Sequence, residues 1–212
     1  MPHYPISIDL NNRRCVVIGG GEVAERKVET LCEFGACVTV VAPDTTPHLA
    51  KMAADGAIEL VSGTYEPSVL KEAFLVVAAT NDRKVNKAVS EDAQKLGILV
   101  NVVDDPDLCT FFVPAIIRRG DLVVSISTSG NSPLLARRLR KQIELELGPE
   151  YGQLVELMGM LRDEVKKLYD DPIQRNRAYE RVLDSDVLNL LRQGRRDDAI
   201  ARARECILQS LV

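Results

Sequence analysis

The run Arg14-Cys-Val-Val-Ile-Gly-Gly-Gly-Glu-Val-Ala-Glu-Arg-Lys27 constrains the fold more than any other segment, because an apolar strand breaks into glycines and then into a helix. Its G-x-G-x-x-A spacing is the fingerprint of a dinucleotide-binding strand-turn-helix. In that reading Gly19 makes the tight turn, Gly21 lets the backbone approach a pyrophosphate, and Ala24 allows close contact between helix and strand. The start of the helix then faces the phosphates, which its free N–H groups and dipole favour. The bland alternative is a tight turn with no ligand. The strand before it (Cys15 to Ile18), the helix after it (Glu22 to Phe34) and its place near the N-terminus favour the cofactor.

The following pattern extends this unit. Short apolar runs at Val38 to Ala42, Ile58 to Val61, Leu75 to Ala79 and Ile98 to Val103 read as further strands. Between them Pro47 to Asp55, Pro67 to Ala73 and Lys84 to Leu96 have helical periodicity, and Gly35, Gly56 and Gly97 stand where helices would end. Strands alternating with helices predict a parallel α/β sheet. After Pro106 the texture changes. Phe111 to Ile117 and Leu122 to Ser127 flank Arg118-Arg119-Gly120-Asp121 as a hairpin would, and Ser132-Pro133 then starts a helix running to about Leu147 before Gly148-Pro149. Tyr151 to Tyr169, Pro172 to Leu183, Ser185 to Leu191 and Arg196 to Leu211 carry apolar residues at helical spacing, which predicts a helical bundle. The expected fold class is α/β: a Rossmann-type parallel sheet over residues 1–112, a small α+β segment over 113–148, and a helical C-terminal domain over 149–212.

Composition narrows the partners. A chain of 212 residues with a formal net charge of −4 does not present a nucleic-acid-binding surface overall. No apolar run approaches the roughly 18 residues that span a bilayer, and Met1-Pro-His-Tyr-Pro lacks the regions of a signal peptide. The five cysteines (Cys15, Cys32, Cys37, Cys109, Cys206) are odd in number and show no C-x-x-C spacing, which fits a reduced cytoplasm. His3 and His48 are the only histidines, so a structural zinc site or a hydrolase triad is not expected.

Several positions carry candidate chemistry. The second strand ends in Ala42-Pro43-Asp44, where the ribose-binding acid of an NAD site would sit. Asp44 arrives slightly late, and either binds ribose or caps the next helix. No arginine stands there, which favours NAD over NADP. Ala78-Ala79-Thr80-Asn81-Asp82 closes the fourth strand, so that Thr80 and Asn81 are placed for cofactor contact while Asn81 or Asp82 caps the following helix. In Asn101-Val-Val-Asp104-Asp105-Pro106, Asp104 ends a fifth strand in the same crevice and is the candidate proton acceptor, against a plain Asp-Asp-Pro turn. Ser127, Thr128, Ser129, Asn131 and Ser132 crowd hydroxyls and amides before a helix, a place for carboxylates or phosphates, with Arg118 and Arg137 among nearby basic residues; the alternative is a solvated face.

Taken together, residues 17 to 27, Ala-Ala-Thr-Asn-Asp (78 to 82), Asn-Val-Val-Asp (101 to 104), Phe-Val-Pro-Ala-Ile-Ile (112 to 117) and Ser-Thr-Ser-Gly-Asn-Ser-Pro (127 to 133) closely resemble the precorrin-2 dehydrogenase/sirohydrochlorin ferrochelatase family. The resemblance covers about residues 1 to 145. It implies NAD⁺-dependent oxidation of precorrin-2 to sirohydrochlorin, in some members followed by Fe²⁺ insertion, and a homodimer formed largely through the segment after the Rossmann domain. It makes Asp104 the acid serving both reactions and maps NAD contacts onto Glu22, Val23, Pro43 and Asp44, with Thr80 and Asn81 nearby. Longer relatives continue into a methyltransferase domain, so this chain is not expected to make precorrin-2 itself. From a different class, a non-catalytic NAD-sensing Rossmann module would share the glycine turn without needing Asp104.

Overall fold

The computed structural model describes residues 3–209 and divides into two compact units, one ending at Val113 and the other beginning at Pro114. The first unit is built on five parallel strands, β1 (Arg14–Ile18), β2 (Cys37–Ala42), β3 (Glu59–Ser62), β4 (Leu75–Ala78) and β5 (Leu99–Val102), in the spatial order β3-β2-β1-β4-β5. The order reverses between β1 and β4, and ligands of open parallel sheets bind at such a switch point, outside the carboxyl ends of the strands. Three helices connect them: α1 (Glu22–Glu33), α2 (Pro47–Ala54) and α3 (Arg83–Lys95).

Residue alternation along β1 decides which layer each helix joins. Cys15 and Val17 pack with Ala24, Val28 and Leu31 of α1 and Leu49 of α2 on one face. Val16 and Ile18 pack with Val89 and Ala93 of α3, together with Leu70, on the other. The strands of a sheet covered on both faces read as unbroken apolar runs, as Val38-Thr-Val-Val-Ala42 nearly does. Thr39, the polar exception, gives its hydroxyl to the carboxylate of Glu59 on β3 at 2.8 Å.

Three expectations need correcting. Pro67–Leu70 forms a single 3-10 turn rather than a helix to Ala73, because Glu72 takes a left-handed backbone (φ 60°) that stops propagation. The first hairpin strand begins at Ala115, since Pro114 has no N–H to donate and residues Cys109 to Phe111 instead run along the outer edge of β5. The hairpin of β6 (Ala115–Arg119) and β7 (Leu122–Ile126) turns on two residues, Gly120 and Asp121, with Gly120 at φ 59°.

The second unit continues with α4 (Pro133–Glu146), α5 (Glu150–Leu168), α6 (Pro172–Leu183), α7 (Val187–Arg192) and α8 (Arg196–Leu208). The last helix was expected to reach Leu211, which lies outside the described residues. Leu157, Leu161 and Val165 of α5 lie on one helical stripe and form the core with Ala178, Val182, Val187, Ala203 and Ile207. The Ser132 hydroxyl accepts from Leu135 N at 3.3 Å and Pro133 opens α4, the start that the Ser-Pro pair predicts. No described helix is long and apolar enough to cross a membrane.

Candidate functional site

At the carboxyl edge of the sheet, around the switch point, lies a cavity of about 610 Å³. Gly19, Gly20, Gly21, Glu22, Val23, Pro43, Asp44, Thr80 and Asn81 line it, so the candidate cofactor positions come together in one place. Gly63, Thr64 and Tyr65, which follow β3, close another side and carried no signal in the sequence. Burial first, and then the adjacent Asp92, push the Tyr65 phenol up, and its hydroxyl reaches Asp92 at 3.2 Å. Tyr65 is therefore a neutral wall at physiological pH.

The three glycines do different work. Gly19 sits at φ +125°, and a Cβ there would lie 2.5 Å from the Ala79 carbonyl oxygen. Its N–H donates to Val41 O at 2.9 Å, so the turn is pinned between β2 and β4. A Cβ on Gly20 would meet Asp44 O at 2.0 Å, a constraint that the fingerprint does not contain. At Gly21 a Cβ would meet nothing within 4 Å. Gly21 is also the N-cap of α1 and provides no side-chain cap, whereas Thr46 caps α2 and Asp82 caps α3. The first-turn N–H groups of α1 thus lack side-chain acceptors beside the cavity, as an anion site requires. This donor set and the bare backbone at Gly21 fit a dinucleotide pyrophosphate.

The capping alternatives resolve by distance. Thr46 Oγ1 accepts from Leu49 N at 3.2 Å, so Asp44 does not cap α2 and stands exposed on the cavity rim. Thr46 Oγ1 also donates to the Glu25 carboxylate, tying α2 to α1. Asp82 Oδ1 accepts from Lys84 N at 2.8 Å, which leaves Asn81 at the rim. Thr80 is held from behind by Asn86, a buried polar residue missed in the sequence. The Thr80 hydroxyl donates to Asn86 Oδ1 at 2.7 Å and Asn86 Nδ2 donates to Thr80 O at 2.9 Å. A polar residue on the inner stripe of a helix was the available signal.

Asp104 does not line the cavity; it follows β5, exposed, in a left-handed backbone at φ 59°. Its charge acts on Lys27 of α1: burial and then Arg26 lower the Lys27 pKa, while Asp104 opposes both. In the second unit many of the candidate hydroxyl and amide groups are spent locally. Ser127 Oγ accepts from Ser129 N at 3.1 Å, Thr128 Oγ1 from Ser132 N at 3.1 Å, and Asn131 Nδ2 donates to Thr128 O at 3.1 Å. Arg118 Nε donates to Gly120 O at 3.2 Å, and Arg137 lies exposed on α4. His3 stacks on Phe112 and His48 pairs with Glu29. Among the described residues no group of His, Cys, Asp and Glu could hold a metal ion, and all five cysteines are free thiols.

Three family models match in succession: "Putative NAD(P)-binding" over residues 6–115, "Sirohaem biosynthesis protein central" over 119–145 and "Sirohaem synthase dimerisation region" over 150–207. The chain belongs to the sirohaem synthase family. The model named for dimerisation thus matches the helical region, residues 150–207. Sirohaem synthases of Methylobacillus flagellatus and Chromobacterium violaceum are 43% and 42% identical over 94% and 96% of this chain. In each case the match takes in 43% of the other protein, so the chain spans less than half the length of these sirohaem synthases. A solved structure named "SirC, precorrin-2 dehydrogenase" superposes with a TM-score of 0.77 at 25% identity, covering 96% of this chain and all of the other.

Proposed function

We propose that the protein binds NAD⁺ in the glycine-lined cavity and dehydrogenates precorrin-2 to sirohydrochlorin. The observation that carries this reading is the uncapped start of α1 opening beside Gly21 into the cavity that Thr80 and Asn81 also line. The SirC likeness along nearly the whole chain supports the substrate. Backbone N–H groups at Gly21, Glu22 and Val23 would hold the pyrophosphate and Asp44 the adenosine ribose, with no basic residue among the cavity lining for a 2′-phosphate. Bound NAD⁺ supplies the hydride acceptor. Asp104 takes the proton that leaves the tetrapyrrole, as an exposed carboxylate just past the carboxyl end of β5, on the same edge of the sheet as the cavity, is able to do. Ser127, Thr128, Ser129, Asn131 and Ser132, with Arg118 and Arg137, are the proposed donors to substrate carboxylates, since the Ser127, Thr128 and Ser132 hydroxyls accept in their local bonds and keep a proton to give.

Fe²⁺ insertion into sirohydrochlorin is a second activity in this reading, with iron as substrate and Asp104 accepting the pyrrole protons. The dimerisation-region match supports a homodimer, and free thiols support a cytoplasmic setting. The test is anaerobic incubation with precorrin-2 and NAD⁺, following NADH and the tetrapyrrole spectrum, then addition of Fe²⁺. NADH with sirohydrochlorin is expected, and metallation faster than in a protein-free control would add the chelatase. NAD⁺ binding without NADH formation would leave the sensor reading in its place.

A further inference from the structure

We propose that Cys109 is a positioning residue whose thiol clamps the turn presenting Asp104; the inference rests on the reading of Asp104 as the base. β5 is an edge strand, so its outer backbone groups need partners from elsewhere. Thr110 serves Val100, accepting from its N–H through Oγ1 at 2.9 Å and donating its own N–H to Val100 O at 2.8 Å. Two residues further along, at Val102, the partner is a sulfur. Cys109 Sγ accepts from Val102 N at 3.1 Å and lies 3.3 Å from Val102 O and 3.4 Å from Asp105 O, so its single proton serves one carbonyl or the other.

Val102 and Asp105 are the two ends of the turn that carries Asp104. Its own closing bond, Asp105 N to Val102 O, is long at 3.4 Å, and Asp104 within it holds a left-handed backbone that side-chain-bearing residues rarely adopt. The Arg83–Asp105 ion pair (3.2 Å) comes from an arginine whose side chain is 86% exposed and constrains little. The thiol is anchored better: Ser90, fully buried, donates to Leu108 O at 2.7 Å, and Asn101 Nδ2 approaches the sulfur at 3.6 Å. Burial pushes the Cys109 thiol up, which keeps it a protonated donor at neutral pH.

Removing the thiol lets the turn relax and swings the Asp104 carboxylate away. In Cys109→Ala, kcat for NADH formation from precorrin-2 is expected to fall about tenfold with KM for NAD⁺ unchanged, and Cys109→Ser to recover most of the loss. Cys109→Val, which fills the volume without hydrogen bonds, stands in should the alanine variant fold poorly. Adding Cys109→Ala to Asp104→Ala should cost nothing further, because the clamp acts only through that carboxylate. A wild-type rate in Cys109→Ala beside an inactive Asp104→Ala, or an additive loss in the double variant, would overturn the clamp alone. A wild-type rate in Asp104→Ala would overturn the reading of the base as well.

Discussion

Gly19 and Gly21 stand two residues apart and answer to different constraints, one set by the protein and one by the space in front of it. Gly19→Ala must place a methyl 2.5 Å from a backbone carbonyl at a positive φ, and the expected cost is about 2–4 kcal/mol in denaturant unfolding. Gly21→Ala has an ordinary backbone (φ −83°) and no protein neighbour within 4 Å. It should keep the wild-type midpoint within about 0.5 kcal/mol and weaken NAD⁺ binding about tenfold or more by calorimetry. Unchanged affinity in Gly21→Ala would remove the pyrophosphate from that position. The rim residues were legible because strand ends and glycine spacing are local patterns. Gly20, Asn86 and Tyr65 were not, because each depends on what another segment brings: the Asp44 carbonyl, the Thr80 backbone and the path of the chain after β3.

Among elements, the start of α5 offers a pH-dependent test. The Glu150 carboxyl is held below its ordinary range first by its own backbone N–H and then by Arg192 at 3.1 Å, with Arg119 adding to the effect. A depressed folded-state pKa stabilises above the unfolded value and ceases to do so as pH falls through the folded one. Glu150→Gln should therefore melt lower than the wild type by about 3 °C at pH 7, with the gap closing as the solution is acidified below about pH 4. A gap independent of pH would assign the loss to packing. Most strands and helices were legible from apolar runs and their Gly, Pro and Ser punctuation. Pro67 to Ala73 misled because its apolar spacing is helical for too few residues to decide, and Glu72 ends it. The hairpin start at Ala115 was hidden because Phe111 is as apolar as a strand residue, yet its neighbours satisfy the edge of β5.

For the whole molecule, Leu134 and Leu145 on α4 are 77% and 88% exposed, large apolar side chains left in water by a single chain. Sedimentation equilibrium is expected to return twice the chain mass, and a single-chain mass across micromolar concentrations would remove the dimer. The strand order has a consequence for synthesis on the ribosome. β1 is central, and its neighbours are β2, which follows soon, and β4, which pairs Leu75 with Cys15. A growing chain therefore keeps one side of β1 open until residues beyond Ala78 have emerged, whereas the hairpin and most helix pairs after Pro114 join elements closer in sequence than β1 and β4. The slow events of refolding belong to the half where distant strands must find each other.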